Sequence, residues 1–213
     1  RGIHSNALVH CGKKHMLNID IKDFFPSCTV SMVRDTELPA MNEWEYARNN
    51  VLPQGAPTSP AIANRILAPV DSRIMFLLRK FISDDVRYTR YADDLTVTSN
   101  SRAIFSRAAY QIIEECLERK GFKINKKKVR KASSGKRLEV TGLVTNSGRP
   151  TVPKVFRRNI RAAVHNAFHN GIGNSERQTL QGKIGHIALC HPEEAGKLRQ
   201  KLNMAHRKLK KAA

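Results

Sequence analysis

The stretch "RYADDLTVTS", residues 90–99, sets two adjacent aspartates, Asp93 and Asp94, between Tyr91 and a run in which apolar and hydroxyl residues alternate. Leu95 and Val97 fall on one side of such a run and Thr96 and Thr98 on the other, the two-residue period of a half-buried strand. Two short strands meeting at Asp93 and Asp94 are the natural reading, since aspartate is a common turn former. Two carboxylates held in a tight turn repel each other, so the tip needs either open solvent or a cation to balance it.

A second acidic strand lies upstream. In "HMLNIDI", residues 15–21, Leu17, Ile19 and Ile21 share one face, and Asn18 and Asp20 share the other. If this strand neighbours the hairpin, Asp20 joins Asp93 and Asp94 and three carboxylates gather at one cleft. Divalent cations remove the repulsion, and oxygen-only ligation suits Mg²⁺, which keeps waters and shares substrate phosphates. Two such ions can activate an attacking hydroxyl and stabilise a leaving phosphate oxygen.

The rest of the composition points the same way. The chain has 213 residues, with 38 Lys and Arg against 18 Asp and Glu, a formal charge of +20. Such an imbalance favours an extended polyanion as partner, nucleic acid first. A membrane-surface role is disfavoured, because no long uncharged apolar segment and no basic amphipathic terminus beside an anchor motif is found. Cys11, Cys28, Cys116 and Cys190 are scattered without a CxxC pair, so they are expected to be reduced thiols in a cytoplasmic protein. The chain starts "RGIHSN" without Met or a leader, and the expectation is a piece of something longer.

Between and after the acidic strands the pattern is helical. "SPAIANRILAPVDSRIMFLLRKF", residues 59–81, offers Ser59 as a cap and Pro60 at the first helical position, and repeats Ile62, Ile66, Val70, Ile74 and Leu78 on one side. Pro69 is expected to kink it. A second helix is expected from about Arg102, with Ile104, Ala108, Ile112 and Cys116 in register and Gly121 as its stop. A hairpin follows in "EVTGLVTNSGRPTVP", residues 139–153, turning at Asn146, Ser147 and Gly148. From Lys154 the chain reads as helix, with an apolar stripe of Phe156, Ile160, Ala163, Val164, Ala167 and Phe168. Residues 151–213 hold thirteen Lys and Arg against three Glu, which places a domain boundary near residue 150. The fold class expected is α+β: a small antiparallel sheet backed by helices over residues 1–150, then a mainly helical domain over 151–213.

Four motifs in order, "NIDIKDFFPS", "LPQGAPTSPAIAN", "YADD" and "GFKINKKK", resemble the palm of reverse transcriptases. "NALVH" at 6–10 and "VTG" at 140–142 resemble the two marks of the bacterial retron branch, and the helical remainder is similar to that family's thumb. The resemblance implies an RNA-directed DNA polymerase in which Asp20, Asp93 and Asp94 are catalytic and bind two Mg²⁺ ions, joined by the Ile21 carbonyl. It implies that Phe25 lies under the sugar and clashes with a 2′-hydroxyl, so that dNTPs are selected. Gln54 and Gly55 would contact the incoming nucleotide and template base, and Lys128 would stand by the triphosphate. Tyr91 would border the primer end, and Arg157, Arg158 and Arg161 would hold primer and template phosphates. A structured noncoding RNA, an RNA/DNA hybrid, a branched RNA-linked DNA product, a partner effector and a role in phage defence are implied as well.

Several residues have a plainer reading. Asp23 can cap the helix that follows it or pair with a base; His10 is expected to be a structural, hydrogen-bonded histidine; Tyr91 can simply pack in the core; and the run "KINKKKVRK" can be a solvated basic face. Two departures from the family pattern stand out: the chain begins after the point where fingers would precede the palm, and the stretch Val33–Thr36 is short, where a helix normally intervenes before "ELPAMNEWEYARNN"; dropped segments at both places are expected, with a genuine truncation as the alternative. Two rivals therefore stand beside the retron reading, an intron-type or other bacterial reverse transcriptase and an inactive RNA-binding scaffold.

Overall fold

The computed structural model describes residues 2–36 and 50–212. The segment "ELPAMNEWEYARN" lies outside the described residues, while the short stretch Val33–Thr36 that borders it is described. Contacts divide the chain into two compact units, Lys13–Leu138 and a second made of Arg1–Gly12 with Glu139–Ala213. The division at residue 138 comes before the composition shift near 150.

The first unit is built on a five-stranded antiparallel sheet. β1 (His15–Lys22) lies at its centre, with β3 (Asp94–Ser99) on one side and β2 (Arg87–Tyr91) outside that. On its other side β1 pairs with β4 (Lys123–Ile124) near its end and β5 (Arg130–Ser133) near its start. A strand paired on both edges can turn one apolar face inward along its whole length. Leu17, Ile19 and Ile21 do so, each at most 2% exposed. The expected sides of β1 are those observed.

That face is covered by α4 (Ser59–Phe81) and α5 (Arg107–Glu118), which join Leu95 and Val97 of β3 in one apolar cluster. In α4 the expected stripe of Ile62, Ile66, Val70, Ile74 and Leu78 is buried, and each such side chain contributes roughly 2 kcal/mol. The helix runs on through Pro69 without a break. Ser59 is its first residue rather than its cap; it is buried, and its hydroxyl donates to the Pro53 carbonyl at 2.7 Å. The second helix corrects the expected register. Residues 102–105 form a 3-10 turn, Ser106 then caps α5 by accepting from the Ala109 amide, and the buried positions become Ala109, Ile113, Cys116 and Leu117. A fresh cap resets the helical phase, so the spacing from Ile104 does not carry through.

Two short helices, α2 (Phe24–Ser27) and α3 (Val30–Arg34), follow β1. Asp23 sits at the cap position of α2 with φ +47°, yet its side chain makes no capping bond. Its carbonyl accepts from the Ser27 amide at 2.8 Å instead.

In the second unit, α1 (Ile3–Leu8) packs with the hairpin of β6 (Glu139–Val140) and β7 (Leu143–Val144). The tight turn is at Thr141 and Gly142, with φ +48° and +82°, the mirror-image geometry that fits the right-handed twist of a hairpin. The expected turn at Asn146–Gly148 closes a further bridge, in which Val144 and Thr151 exchange bonds of 2.8 and 3.0 Å. The Thr141 hydroxyl donates to the Ile3 carbonyl at 3.2 Å, and the Gly12 amide to the Thr145 carbonyl at 3.1 Å. "NALVH" and "VTG" thus form one substructure, with Asn6 and His10 buried in it, as a structural role for His10 requires. This is why the unit begins at 139: the hairpin packs on α1 instead of extending the five-stranded sheet.

The unit continues as α6 (Lys154–Asn170), α7 (Asn174–Ala188) and α8 (Pro192–Ala212). Ile160, Val164 and Ala167 are the buried part of the expected α6 stripe, and Leu180, Ile184 and Ile187 of α7 are buried likewise. Among the described residues no helix is long and apolar enough to cross a membrane. All four cysteines are free, and burial pushes the Cys28 thiol up to about 11.

Candidate active site

The three aspartates are brought together by strand register. Asp20 of β1 faces Asp94 of β3, and Asp94 in turn faces Tyr91 across the β2–β3 hairpin. The two-residue connection is Ala92 and Asp93. Ala92 takes φ +53°, a left-handed conformation that few non-glycine residues adopt, and so turns the chain sharply enough for both aspartates to stand at the strand end. The Ile21 amide donates to the Asp93 carbonyl at 2.9 Å and ties the tip to β1.

The carboxylates differ in surroundings. Asp20 is 8% exposed and fully engaged: Asn125 Nδ2 donates to one oxygen at 3.3 Å, and Lys128 Nζ donates to the other at 3.0 Å. The Asn125 amide also donates to the Asp20 carbonyl at 2.8 Å. Asp94 is exposed to solvent. Its carboxyl is nonetheless lifted above the usual carboxylate range, by partial desolvation first and then by the charges of Asp93 and Asp20, with Lys128 and Arg130 opposing.

The basic run that supplies Lys128 is more than a solvated face. It forms β4, then a 3-10 turn over Lys126–Lys128 closed by the Lys128 amide on the Asn125 carbonyl at 3.0 Å, then β5. Lys126 is drawn outward to Glu114 at 3.1 Å, while Lys128 reaches Asp20, so the turn separates neighbouring lysines into different roles. The bond to Asp20 and its charge raise the Lys128 ammonium above its ordinary value.

Backbone convergence is as expected; side-chain convergence is less complete. Among the described residues no group of three or more His, Cys, Asp or Glu side chains is drawn close enough to hold a metal ion. Asp20 is turned to Lys128 and Asn125, and the lysine at 3.0 Å balances its charge. The donor set still fits a divalent cation: it is all oxygen, and Asp93 and Asp20 set like charges beside Asp94.

The other expected residues are placed as follows. Phe25 follows the Asp23 turn on α2, half-buried and edge-on to Phe24 with ring centres 5.0 Å apart. Gln54 and Gly55 lie on an exposed turn before α4; Gly55 has φ +92°, and no atom stands within 4 Å of where a side chain would begin. Tyr91 is 40% exposed, which sets core packing aside. On α6, Arg158 and Arg161 are exposed, but Arg157 does not stand free for a phosphate, because its Nε donates to Glu194 Oε2 at 2.9 Å. The other oxygen of Glu194 lies 3.7 Å from Arg161.

Sequence reasoning passed over Asn125 as a partner of Asp20, and also Arg90, whose Nη1 donates to the Ala92 carbonyl at 3.0 Å. A signal for Arg90 was present: Tyr88 and Arg90 alternate onto one face of β2, and Asn64 and Asp71 recur seven residues apart on α4.

The chain is similar to known proteins along most of its length. Residues 2–145 match the family described as reverse transcriptase (RNA-dependent DNA polymerase). Retron Ec73 reverse transcriptase of Escherichia coli is 30% identical over 229 residues, covering 94% of this chain and 71% of the relative. Retron Ec86 reverse transcriptase of the same organism is 33% identical over 88% of this chain and 59% of its own length. Retron Mx65 reverse transcriptase of Myxococcus xanthus is 30% identical over 93% of this chain and 51% of its own length, so the chain spans about half of that relative.

Proposed function

The chain belongs to the reverse transcriptase family, in its bacterial retron branch, and from that premise we propose that it carries the catalytic centre of an RNA-directed DNA polymerase. Residues 13–138 are its palm and the helices from Lys154 its thumb. The observation that carries this reading is Asp20 facing Asp94 across β1 and β3, with Lys128 bonded to Asp20.

In the proposed reaction a primer hydroxyl attacks the α-phosphorus of a dNTP. A new phosphorus–oxygen bond forms, the bond to pyrophosphate breaks, and the hydroxyl proton passes to water. Asp20 and Asp93, assisted by Asp94 and the Ile21 carbonyl, would hold two Mg²⁺ ions. Bound there, the metal supplies charge that eases deprotonation of the hydroxyl and stabilises the leaving oxygens. Lys128, raised in basicity and close to the carboxylates, places a protonated ammonium where the pyrophosphate departs. Phe25, backed by Phe24, excludes a 2′-hydroxyl. Gln54 and Gly55 border the nucleotide and the template base, and Tyr91 borders the primer end. Arg158 and Arg161 contact phosphates of the hybrid without reading bases, while Arg157 holds Glu194.

The finer reading follows the retron branch: a structured noncoding RNA as template in a bacterial cytoplasm, a guanosine 2′-hydroxyl as primer, a branched RNA-linked DNA product, and a partner effector in phage defence. Primer extension with Mg²⁺, comparing the chain with Asp93→Asn, tests the activity. Incorporation is expected to fall at least about a thousandfold while RNA binding stays. Equal RNA binding with no incorporation by either protein would leave only the RNA-binding scaffold. Sequencing the RNA that copurifies separates a retron template from an intron.

A further inference from the structure

Near the site, the side chain of Arg90 is withdrawn from water. Its side chain is 4% exposed, although a guanidinium is costly to desolvate. Its donors are spent in three directions. Nε and Nη2 fork onto Asp71 at 3.0 and 2.8 Å, and Nη1 reaches Asn64 Oδ1 at 3.0 Å and the Ala92 carbonyl at 3.0 Å. Asp71 also accepts the hydroxyl of buried Tyr88 at 2.7 Å. The guanidinium lies over the Phe24 ring, 5.8 Å from its centre.

Packing alone does not require this arrangement, because well-fitted apolar residues often replace a buried ion pair at no loss of stability. What an apolar residue cannot do is hold the Ala92 carbonyl. Ala92 is the left-handed residue directly before Asp93, and Phe24 is directly before Phe25. One rigid fork, anchored on α4, therefore touches the neighbour of a catalytic carboxylate and the neighbour of the sugar gate. Lysine has no planar fork and cannot grip Asp71 and Ala92 at once.

We propose that Arg90, clamped by Asp71 and Asn64, is a positioning residue that sets the Asp93 turn and the Phe25 gate as one unit. Its effect on catalysis rests on the polymerase reading given above; its effect on the turn does not.

The test compares the full chain with Arg90→Lys and with Asn64→Ala, whose exposed position leaves folding intact. Urea unfolding checks stability, and deuterium exchange follows the amides of residues 92–95 against those of 96–98. Arg90→Lys is expected to speed exchange at 92–95 about tenfold and leave 96–98 unchanged, with Asn64→Ala showing the same pattern more weakly. In primer extension Arg90→Lys should lower kcat about thirtyfold with KM within about threefold, since misplaced groups cost rate more than binding. Its preference for dNTP over rNTP should fall several-fold in parallel.

A native chain that incorporates no nucleotide removes the polymerase reading, and the exchange pattern then decides the role of Arg90 alone. Exchange that rises evenly along the hairpin in both variants, or in neither, overturns the proposal. An active Arg90→Lys with native kcat and native sugar preference overturns it too. Should Arg90→Lys not fold, the local exchange signature of Asn64→Ala decides in the same way.

Discussion

Asp20 and Arg157 are each a charge that the sequence assigns to a ligand, and in the fold each has an internal partner, on different terms. Lys128, the partner of Asp20, keeps 58% of its side chain exposed, so it can leave at little cost and be replaced by water. Arg157 and Glu194 are only 24% and 20% exposed, and Glu194 lies between Arg157 and Arg161. A pair held in that way is architecture. The difference teaches that a charge is available to a ligand according to how easily its partner is solvated, and not merely according to where its motif falls.

Four measurements would break or sharpen this comparison. The largest effect is expected from Lys128→Met. Nucleotide incorporation should drop about a hundredfold, the range of a lost general acid, while the urea midpoint is unchanged. A shifted midpoint with native turnover would reverse the contrast. Glu194→Gln should do the opposite, costing about 2 kcal/mol in urea unfolding by leaving Arg157 poorly paired, with kcat intact.

Asp85 gives a third case, a carboxylate with a purely structural role. Burial alone would lift its carboxyl, but the Ser99 hydroxyl, the Asn100 amide, Lys13 and the Ser83 hydroxyl hold it well below the usual range. A depressed folded-state value stabilises above the unfolded carboxylate value near about pH 4 and is lost as pH falls toward the folded one. Asp85→Asn should therefore cost roughly 1 kcal/mol at neutral pH and flatten the acid limb of stability below about pH 4, read by circular dichroism. Equal acid limbs would contradict the assignment. The smallest effect is expected from Arg158→Ala with Arg161→Ala: affinity for an RNA/DNA duplex falls several-fold and the log–log salt slope shrinks by about two. An unchanged slope would mean that these cations do not meet phosphate.

The acidic centre was legible in the sequence because it rests on local alternation. The period-two patterns of residues 15–21 and 94–99 fixed which faces Asp20 and the Leu95 side take, and the turn at Asp93 followed. What was not legible depends on long-range pairing. Nothing in "KINKKKVRK" tells that its two ends add strands to opposite halves of β1, or that the turn between them sends Lys126 away and Lys128 to Asp20. The phase of α5 departs from the spacing because Ser106 restarts the helix, and a second turn, at Thr141 and Gly142, precedes the expected one at Asn146–Gly148. The clamp on Arg90 needed two periodicities, seven on α4 and two on β2, to be seen as facing one another.

The first unit is one unbroken run of chain, and its two ends lie side by side: the Ser134 amide donates to the Lys14 carbonyl at 2.7 Å, next to the pairing of His15 with Ser133. The second unit is assembled from both ends of the sequence. During synthesis on the ribosome the sheet can therefore close as soon as residue 138 has emerged. Helix α1 meets the hairpin at 139–144 only after more than a hundred further residues have been made.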